Sequence, residues 1–514
     1  MTRIARTPPH ADGEPRMSDP SLYKDRVRVY PRAVRGVARR VKWAVLVFCL
    51  VVYYALPWIR WTRGPGQPSQ AVLLDIGHER FYFFAIEFWP QDIYYLTGAL
   101  ILAAVGLFLV TSLVGRAWCA YACPQTVWTD LFMRVERLIQ GDRNARMKRD
   151  QGHTDFAKIW RKTATHAAWL GIAFWTGGAW IMYFADAPTV TRDFWRGTAA
   201  ADVYVFTSLF TATTYVLAGW AREQVCTYMC PWPRFQASML DEHSLIVTYE
   251  SWRGEPRGHG KRPPALLGAN QLGANQLGAN QLGAKPLGAN ERGDCIDCSA
   301  CVNVCPTGID IRDGSQLECI NCGLCIDACN EVMTKTGQPK WLVRWDTLAN
   351  QEARAAGRPV PFHLLRPRTL IYIAALVVGF VVMGVALANR AQIDLAVEHD
   401  RAPLFVTLRN GSLRNAYTLK ISNKTHEATA FAIGLNGIDG AALSLAEDSE
   451  DHLPHLTLTV APDAIGTYRV LVFARPAKPL DAAQDLIFTA RNARTGETAA
   501  YTSVFMGPTA HATR

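Results

Sequence analysis

No cysteine lies beyond Cys329, so the last 185 of the 514 residues contain none. A disulfide scaffold spreads bridges through a small secreted domain, and that class is excluded here. Charge is scarce too: 19% of residues are Asp, Glu, Lys or Arg, against 49% hydrophobic, which is too apolar for a disordered chain and too uneven for a water-soluble enzyme. Histidine is nearly missing from the long apolar runs, His166 at the rim of one being the single instance. A b-type haem held within a membrane needs two axial histidines, so its absence argues against that cofactor. No G-x-G-x-x-G stands between a strand and a helix, which argues against a nicotinamide or flavin domain.

What is present comes in clusters. Apolar runs at about 41–59, 93–115, 166–185, 203–221 and 370–388 each approach the roughly 20 residues that cross a bilayer core, which predicts five spans. The arm before the first run is too long for a signal peptide and no cleavage site follows, so that run is expected to stay as an anchor. Basic residues flank the runs unevenly: the arm 1–42 holds 11 Lys and Arg against 4 Asp and Glu, and 116–165 holds ten, whereas 60–92 and 186–202 hold three and two. By the positive-inside rule the arm, 116–165 and 222–369 face the cytoplasm, and 60–92, 186–202 and the tail from about 390 face outward. The net charge of +10 therefore belongs to membrane flanks, not to a basic face that would read nucleic acid.

Residues 295–305 follow the spacing C-x2-C-x2-C-x3-C and residues 319–329 repeat it. Eight thiolates so spaced are the signature of two-cluster ferredoxins, in which three neighbouring cysteines hold one cube and the fourth reaches to the other. The expected ligand sets are Cys295, Cys298, Cys301 and Cys329 for one 4Fe-4S cluster, and Cys319, Cys322, Cys325 and Cys305 for the second. Zinc sites show two C-x2-C pairs separated by a longer insert, a poorer match. Asn330 stands where a second proline is often found, a position that ligates nothing. Gly-Ala-Asn-Gln-Leu recurs at 268, 273 and 278 and decays at 283; its period suits neither helix nor strand and predicts a flexible tether.

A second cysteine class ends the second and fourth runs: Cys119-Ala-Tyr-Ala-Cys123-Pro124 and Cys226-Thr-Tyr-Met-Cys230-Pro231, each three or four residues after an arginine. Two C-x3-C-P motifs at equivalent boundaries suggest a duplicated two-span unit. Proline favours the first position of a helix, which would put Cys123 and Cys230 at helix N-termini, where amides and dipole favour the thiolate. An amphipathic stretch follows the first proline, with Val127, Leu131, Val135 and Leu138 on one face. Such thiolates are soft donors suited to Cu(I); whether they bind metal or cycle through disulfides is left open by the spacing. Cys49, within the first run, reads as a packing residue.

The tail shows seven short alternating runs between 404 and 505, predicting an immunoglobulin-like sandwich that serves docking. Asn423-Lys-Thr425 is a formal glycosylation triplet. The expected organisation is a basic arm (1–40), a four-span domain (41–247), a linker (248–292), a ferredoxin-like domain (293–340), a connector (341–369), the fifth span (370–388) and an all-β domain (400–510).

Taken together, the order of parts resembles the cytochrome c oxidase accessory family called CcoG, FixG or RdxA. The likeness runs from about residue 24 and is most specific at Phe88-Trp-Pro-Gln-Asp92, Trp118–Trp128, Cys226–Gln236, Gly293–Cys298 and Asn410–Leu419; the pentapeptide tract departs from it. The resemblance implies a multi-pass protein of a bacterial inner membrane, with N-terminus and clusters cytoplasmic and the sandwich periplasmic, that helps assemble a cbb-type oxidase and reduces Cu(II) to Cu(I). Cys119, Cys123, Cys226 and Cys230 would then be the catalytic thiols and copper the substrate. The expected partners are membrane lipid, oxidase subunits or copper chaperones, a cytoplasmic electron donor and, as an open option, a second copy of the chain. Two other readings stand beside it: a quinol-linked electron-transfer subunit, and a redox-sensing assembly scaffold without catalysis.

Overall fold

The computed structural model describes residues 28–64, 67–259, 292–360, 366–391, 393–425, 427–474 and 483–508; the expected tether at 268–287 lies outside them. The chain divides into two compact units, Met1–Met383 and Gly384–Arg514.

The first unit opens with α1 (Val37–Ala55), followed by a three-stranded antiparallel sheet of β1 (Val72–Asp75), β2 (Arg80–Phe83) and β3 (Ile86–Phe88). Then come α2 (Ile93–Val114), α3 (Pro124–Gln140), α4 (Arg143–Gln151), α5 (Phe156–Ile181), α6 (Ala187–Arg196), α7 (Ala201–Thr214) and α8 (Trp232–Met239). A last long helix, Pro367–Ala388, lies along α2, with Met383 against Gly98 and Leu102 against Gly379. Among the described residues four segments are long and apolar enough to cross a membrane: Val37–Trp58, Pro90–Val114, Ala201–Ala221 and Pro367–Ala388. The expected third run, 166–185, falls mostly within α5, which is not one of them. Lys158, Arg161 and Lys162 charge its first turns, and Trp169, Ala173, Thr176, Gly177 and Ala179 bury one face.

Around the cysteine motifs, β4 (Ile246–Tyr249) pairs antiparallel with β5 (Val343–Asp346), Tyr249 opposite Val343. The single turn α9 (Ser251–Gly254) follows β4, and Gly293 donates its N–H to Pro256 O at 3.0 Å. The ferredoxin-like part is thus wider than 293–340, because Val247, Tyr249, Leu342 and Val343 bury themselves with the cluster cysteines in one apolar core. The described end of the N-terminal arm also packs on it: Arg32 N–H donates to Asn303 O at 2.8 Å and Arg39 N–H to Asp327 Oδ2 at 2.8 Å.

The second unit is an antiparallel sandwich. One sheet has the order β11-β10-β13-β8-β6 with β7 beside β8, from β6 (Ile393–His399), β7 (Val406–Thr407), β8 (Leu413–Asn423), β10 (Ala442–Leu445), β11 (Asp448–Leu453) and β13 (Ala464–Ala474). The other runs β12-β9-β14-β15, from β9 (Thr429–Asn436), β12 (His455–Val460), β14 (Ala483–Asn492) and β15 (Thr498–Met506). The alternating inward residues Tyr417, Leu419, Ile421, Phe431, Ile433, Phe488 and Phe505 fill the core. β6, β10 and β11 add to the seven strands expected. Asn423 is fully buried, its amide donating to Glu427 O at 2.8 Å and Ala461 O at 3.0 Å, so the formal triplet offers no free acceptor for a glycan.

Candidate metal and thiol site

The two ferredoxin motifs fold as copies. Each opens on a cysteine, Cys295 or Cys319, whose turn has positive φ at its third and fifth residues: Asp297 (51°) and Ser299 (53°), Asn321 (62°) and Gly323 (71°). Asp, Asn and Gly enter this left-handed region more readily than other residues, and at Gly323 a Cβ would stand 2.2 Å from the Trp345 ring. Such turns aim successive N–H groups inward: those of Asn321 and Leu324 reach the sulfurs of Cys319 and Cys322, while the N–H of Val343, from β5, reaches Cys329. Each copy then enters a helix, Ala300–Val304 or Leu324–Thr336. Asn330, in the place of a proline, accepts the Trp341 N–H at 2.8 Å.

Two small hollows result. Cys295, Cys298, Cys301 and Cys329 line one, together with Arg312; Cys305, Cys319, Cys322 and Cys325 line the other, with Cys301 on the wall of both. A zinc tetrahedron with Zn–S near 2.3 Å holds its sulfurs about 3.8 Å apart, and among the described residues no three Cys, His, Asp or Glu groups converge like that. Thiols spread around a hollow instead fit a cluster whose irons stand between them. Burial pushes Cys301, Cys319 and Cys329 up to about 12, so their protons leave when metal takes their place.

The C-x3-C-P motifs are copies as well. Trp118–Ala122 and Val225–Met229 are each a π turn, closed by the second cysteine's N–H on the carbonyl five residues back: Cys123 to Trp118 at 2.8 Å and Cys230 to Val225 at 2.7 Å. Both second cysteines are extended (ψ 128° and 121°), as the following proline requires. Pro124 is the first residue of α3, whereas Pro231 is the cap of α8 and leaves Cys230 one residue outside it. Electrostatically, Cys123, Cys226 and Cys230 all act on Cys119, so the two motifs face one region of the fold, although among the described residues no three Cys, His, Asp or Glu groups converge closely enough to hold a single metal ion as they stand.

Their environment corrects the expected thiolates. The N–H groups of Thr126 and Gln125 pull Cys123 down as the helix-end argument requires, but burial outweighs them and its pKa is raised. Burial likewise pushes Cys119 up to about 12 and Cys226 to about 11. The Cys119 thiol donates to Oε1 of Gln236, a fully buried side chain, at 3.1 Å. Nothing in the sequence marks Gln236 as buried until α8 is seen against α2, where its amide also reaches Thr111 at 3.4 Å.

α3 also departs from expectation. Val127 is buried, but Leu138 is 69% exposed, and the buried face carries Asp130, Phe132, Met133 and Glu136. Distant partners offset the cost of those carboxylates: Arg39 binds both oxygens of Asp130 at 2.9 and 2.8 Å, while Arg146 and Arg222 reach Glu136 at 2.6 and 2.9 Å. His166 bonds the Tyr215 hydroxyl at 2.9 Å and edges onto Trp169, a packing role. Cys49 is half-buried within α1. The two cysteine classes meet: Ala120 lies in one apolar cluster with Cys322, Leu324 and Ala328, against which Cys119 and Tyr121 pack.

Three family models match the chain: a 4Fe-4S dicluster domain over 221–348, a 4Fe-4S binding domain over 96–144, and the Ig-like fold at the C-terminus of FixG over 383–508. The nitrogen fixation protein FixG of Rhizobium meliloti is 43% identical over 479 residues, covering 88% of this chain and 87% of that protein. Protein RdxB of Cereibacter sphaeroides is 44% identical over 492 residues, covering 95% and 98%, and RdxA of the same organism is 44% identical over 462 residues, covering 89% and 91%. A crystal structure of a FixG-related protein from Vibrio parahaemolyticus aligns with 23% of this chain and 96% of its own at 21% identity, with a TM-score of 0.19.

Proposed function

Because this chain belongs to the family of FixG, RdxA and RdxB, iron-sulfur oxidoreductases with membrane helices, we propose that it reduces Cu(II) to Cu(I) for assembly of a cbb-type cytochrome c oxidase. The observation that carries the reading is the shared packing of Cys119, Ala120 and Tyr121 with the turn of Cys322 and Leu324, which sets a soft thiol site against a one-electron site. Cys295, Cys298, Cys301 and Cys329 hold one 4Fe-4S cluster, and Cys319, Cys322, Cys325 and Cys305 the other. Such clusters, when bound, supply single-electron transfer at a buried position.

Cys119, Cys123, Cys226 and Cys230 receive the copper. Empty, the thiols of Cys119, Cys123 and Cys226 are kept protonated by burial; Cu(I), a soft ion, replaces thiol protons and is held in preference to Cu(II). Each copper gains one electron, drawn from a cytoplasmic donor protein. The protein crosses a bacterial inner membrane five times, α5 counted with the four apolar helices, and the basic segment 116–165 supports a cytoplasmic position for the arm and the cysteine sites. The C-terminal sandwich then stands in the periplasm, where it docks oxidase subunits or copper chaperones.

A test is to reduce the purified protein anaerobically, remove excess reductant, add Cu(II) and follow Cu(I) with a chelating dye. Cys119→Ser with Cys123→Ser should lower the yield at least tenfold while about eight irons per chain remain. Undiminished Cu(I) would remove these thiols from the mechanism. One observation favours a second reading: the match of 96–144 to a 4Fe-4S binding domain would make the four thiols ligands of a third cluster, in which case the unaltered protein carries about twelve irons and the variant loses about four.

A further inference from the structure

The duplicated motifs are not equivalent in charge. Arg222, four residues before Cys226, gives its guanidinium to Glu136 at 2.9 Å, a carboxylate it shares with Arg146, and lies 5.0 Å over the Trp169 ring, so it has an ion-pair partner. Arg116, three residues before Cys119 and as deeply buried, is differently placed: its N–H groups go to the carbonyls of Leu317, of Cys319 at 3.1 Å and of Pro233 at 3.1 Å. Among the described residues no carboxylate lies within ion-pair distance of it, Glu318 acting on it only from farther away, and its Nε has no partner, whereas Arg312 on the wall of the other hollow is paired with Asp297 at 2.5 Å and Asp310 at 2.6 Å. On the other side of Cys119, the Tyr121 hydroxyl donates to the carbonyl of Cys322 at 3.1 Å. Both links therefore reach the same hollow, the one lined by Cys305, Cys319, Cys322 and Cys325. The other hollow holds Cys298, the single exposed cysteine of the thirteen.

We propose that Arg116 and Tyr121 are coupling residues that make the Cys305–Cys319–Cys322–Cys325 site the one adjacent to the C-x3-C-P thiols, and that the charge of Arg116, which no carboxylate pairs, raises the reduction potential of this site above that of the site with Cys298. The inference rests on the reading that these eight cysteines hold clusters. A buried cation beside a ligand favours the more negative, reduced state, and the effect is strong where water is excluded. An electron given by a donor protein at the exposed Cys298 face then passes downhill to the site beside Arg116, and from there one electron per ion reduces Cu(II). Arg116 and Tyr121 are positioning residues: neither is itself oxidised or reduced.

The test is a redox titration of the full-length protein followed by EPR. Cys298→Ala marks which of the two iron-sulfur signals belongs to the remote site. Arg116→Gln should make the adjacent site at least threefold harder to reduce, about 28 mV at 59 mV per tenfold for one electron, and leave the remote signal unmoved. Arg116→Lys, which keeps the charge, should restore most of the shift, and Tyr121→Phe should produce a smaller shift of the same signal. Equal shifts at both sites, a shift confined to the remote site or no shift in Arg116→Gln would overturn the proposal. Were Arg116→Gln to fail to fold, a selective shift in Tyr121→Phe would carry it and an unselective or absent one would refute it. Absence of two iron-sulfur signals from the unaltered protein would instead refute cluster binding itself, a distinct result.

Discussion

Asp130 shows how much a single side chain contributes here. Its side chain is 1% exposed, with Arg39 at 2.8 Å and Lys42 Nζ at 3.9 Å. Burial opposes its ionisation, but Lys42 and Arg39 outweigh burial and hold its pKa below the usual carboxylate value. A carboxylate depressed in the folded state contributes stability that is complete above its unfolded pKa, near 3.9, and is lost as pH falls through the folded value. The pair should therefore stabilise the protein at neutral pH and weaken only in strong acid. Asp130→Asn leaves two buried cations without their partner, at a cost of about 3–5 kcal/mol, whereas Glu398→Gln, which breaks the exposed Lys420 pair at 2.7 Å, should cost less than about 1 kcal/mol. Thermal unfolding of the detergent-solubilised protein would show it; similar shifts for both variants would mean that the buried pair is not the stabilising contact described.

Among the helices the informative contrast is between neighbours. In α5 a Cβ on Gly177 would come within 2.8 Å of Thr207 O and 2.9 Å of Thr211 N in α7, while Gly178 has nothing within 4 Å. Backbone cannot yield as a side chain can, so Gly177→Ala should force α5 and α7 apart and cost about 1–3 kcal/mol. Gly178→Ala should be neutral or gain up to about 1 kcal/mol of helix propensity. Equal melting temperatures for the two variants would refute this close approach. The same kind of contact explains what could be read beforehand. The apolar runs of α1, α2 and Pro367–Ala388 declare themselves through continuous hydropathy, and the eight cysteines around the two hollows through spacing alone. α5 reads ambiguously because its polar and small residues make sense only against α3 and α7. The π turns at Cys119 and Cys226 leave no periodic signal, since each is one inserted residue. The carboxylates of α3 look like a solvent-facing stripe until Arg39, 91 residues away, and Arg222, 86 residues away, arrive to pair with them. β6 escapes notice because it begins only five residues after the last span ends.

For the molecule as a whole, the division at Gly384 separates two different ways of burying apolar surface. The first unit leaves large apolar faces outward, as at Val378, Phe380 and Val382 of the last span, each about 60% exposed, which suits lipid rather than water. The second closes its own core: every residue of its main buried cluster, from Ile393 to Phe505, comes from its two sheets. Its charge is nearly balanced, with 12 Lys and Arg against 13 Asp and Glu over 390–514. A unit of that size with a private core holds a folding stability of about 5–15 kcal/mol without help from neighbours. Residues 390–514 expressed alone should therefore be soluble, show a β-type circular dichroism spectrum and unfold in one cooperative urea transition, while the complementary chain ending at 389 keeps the iron of the full-length protein. A fragment that aggregates or melts without a transition would mean that the sandwich depends on the membrane unit. Loss of iron from the shortened chain would place that dependence on the other side.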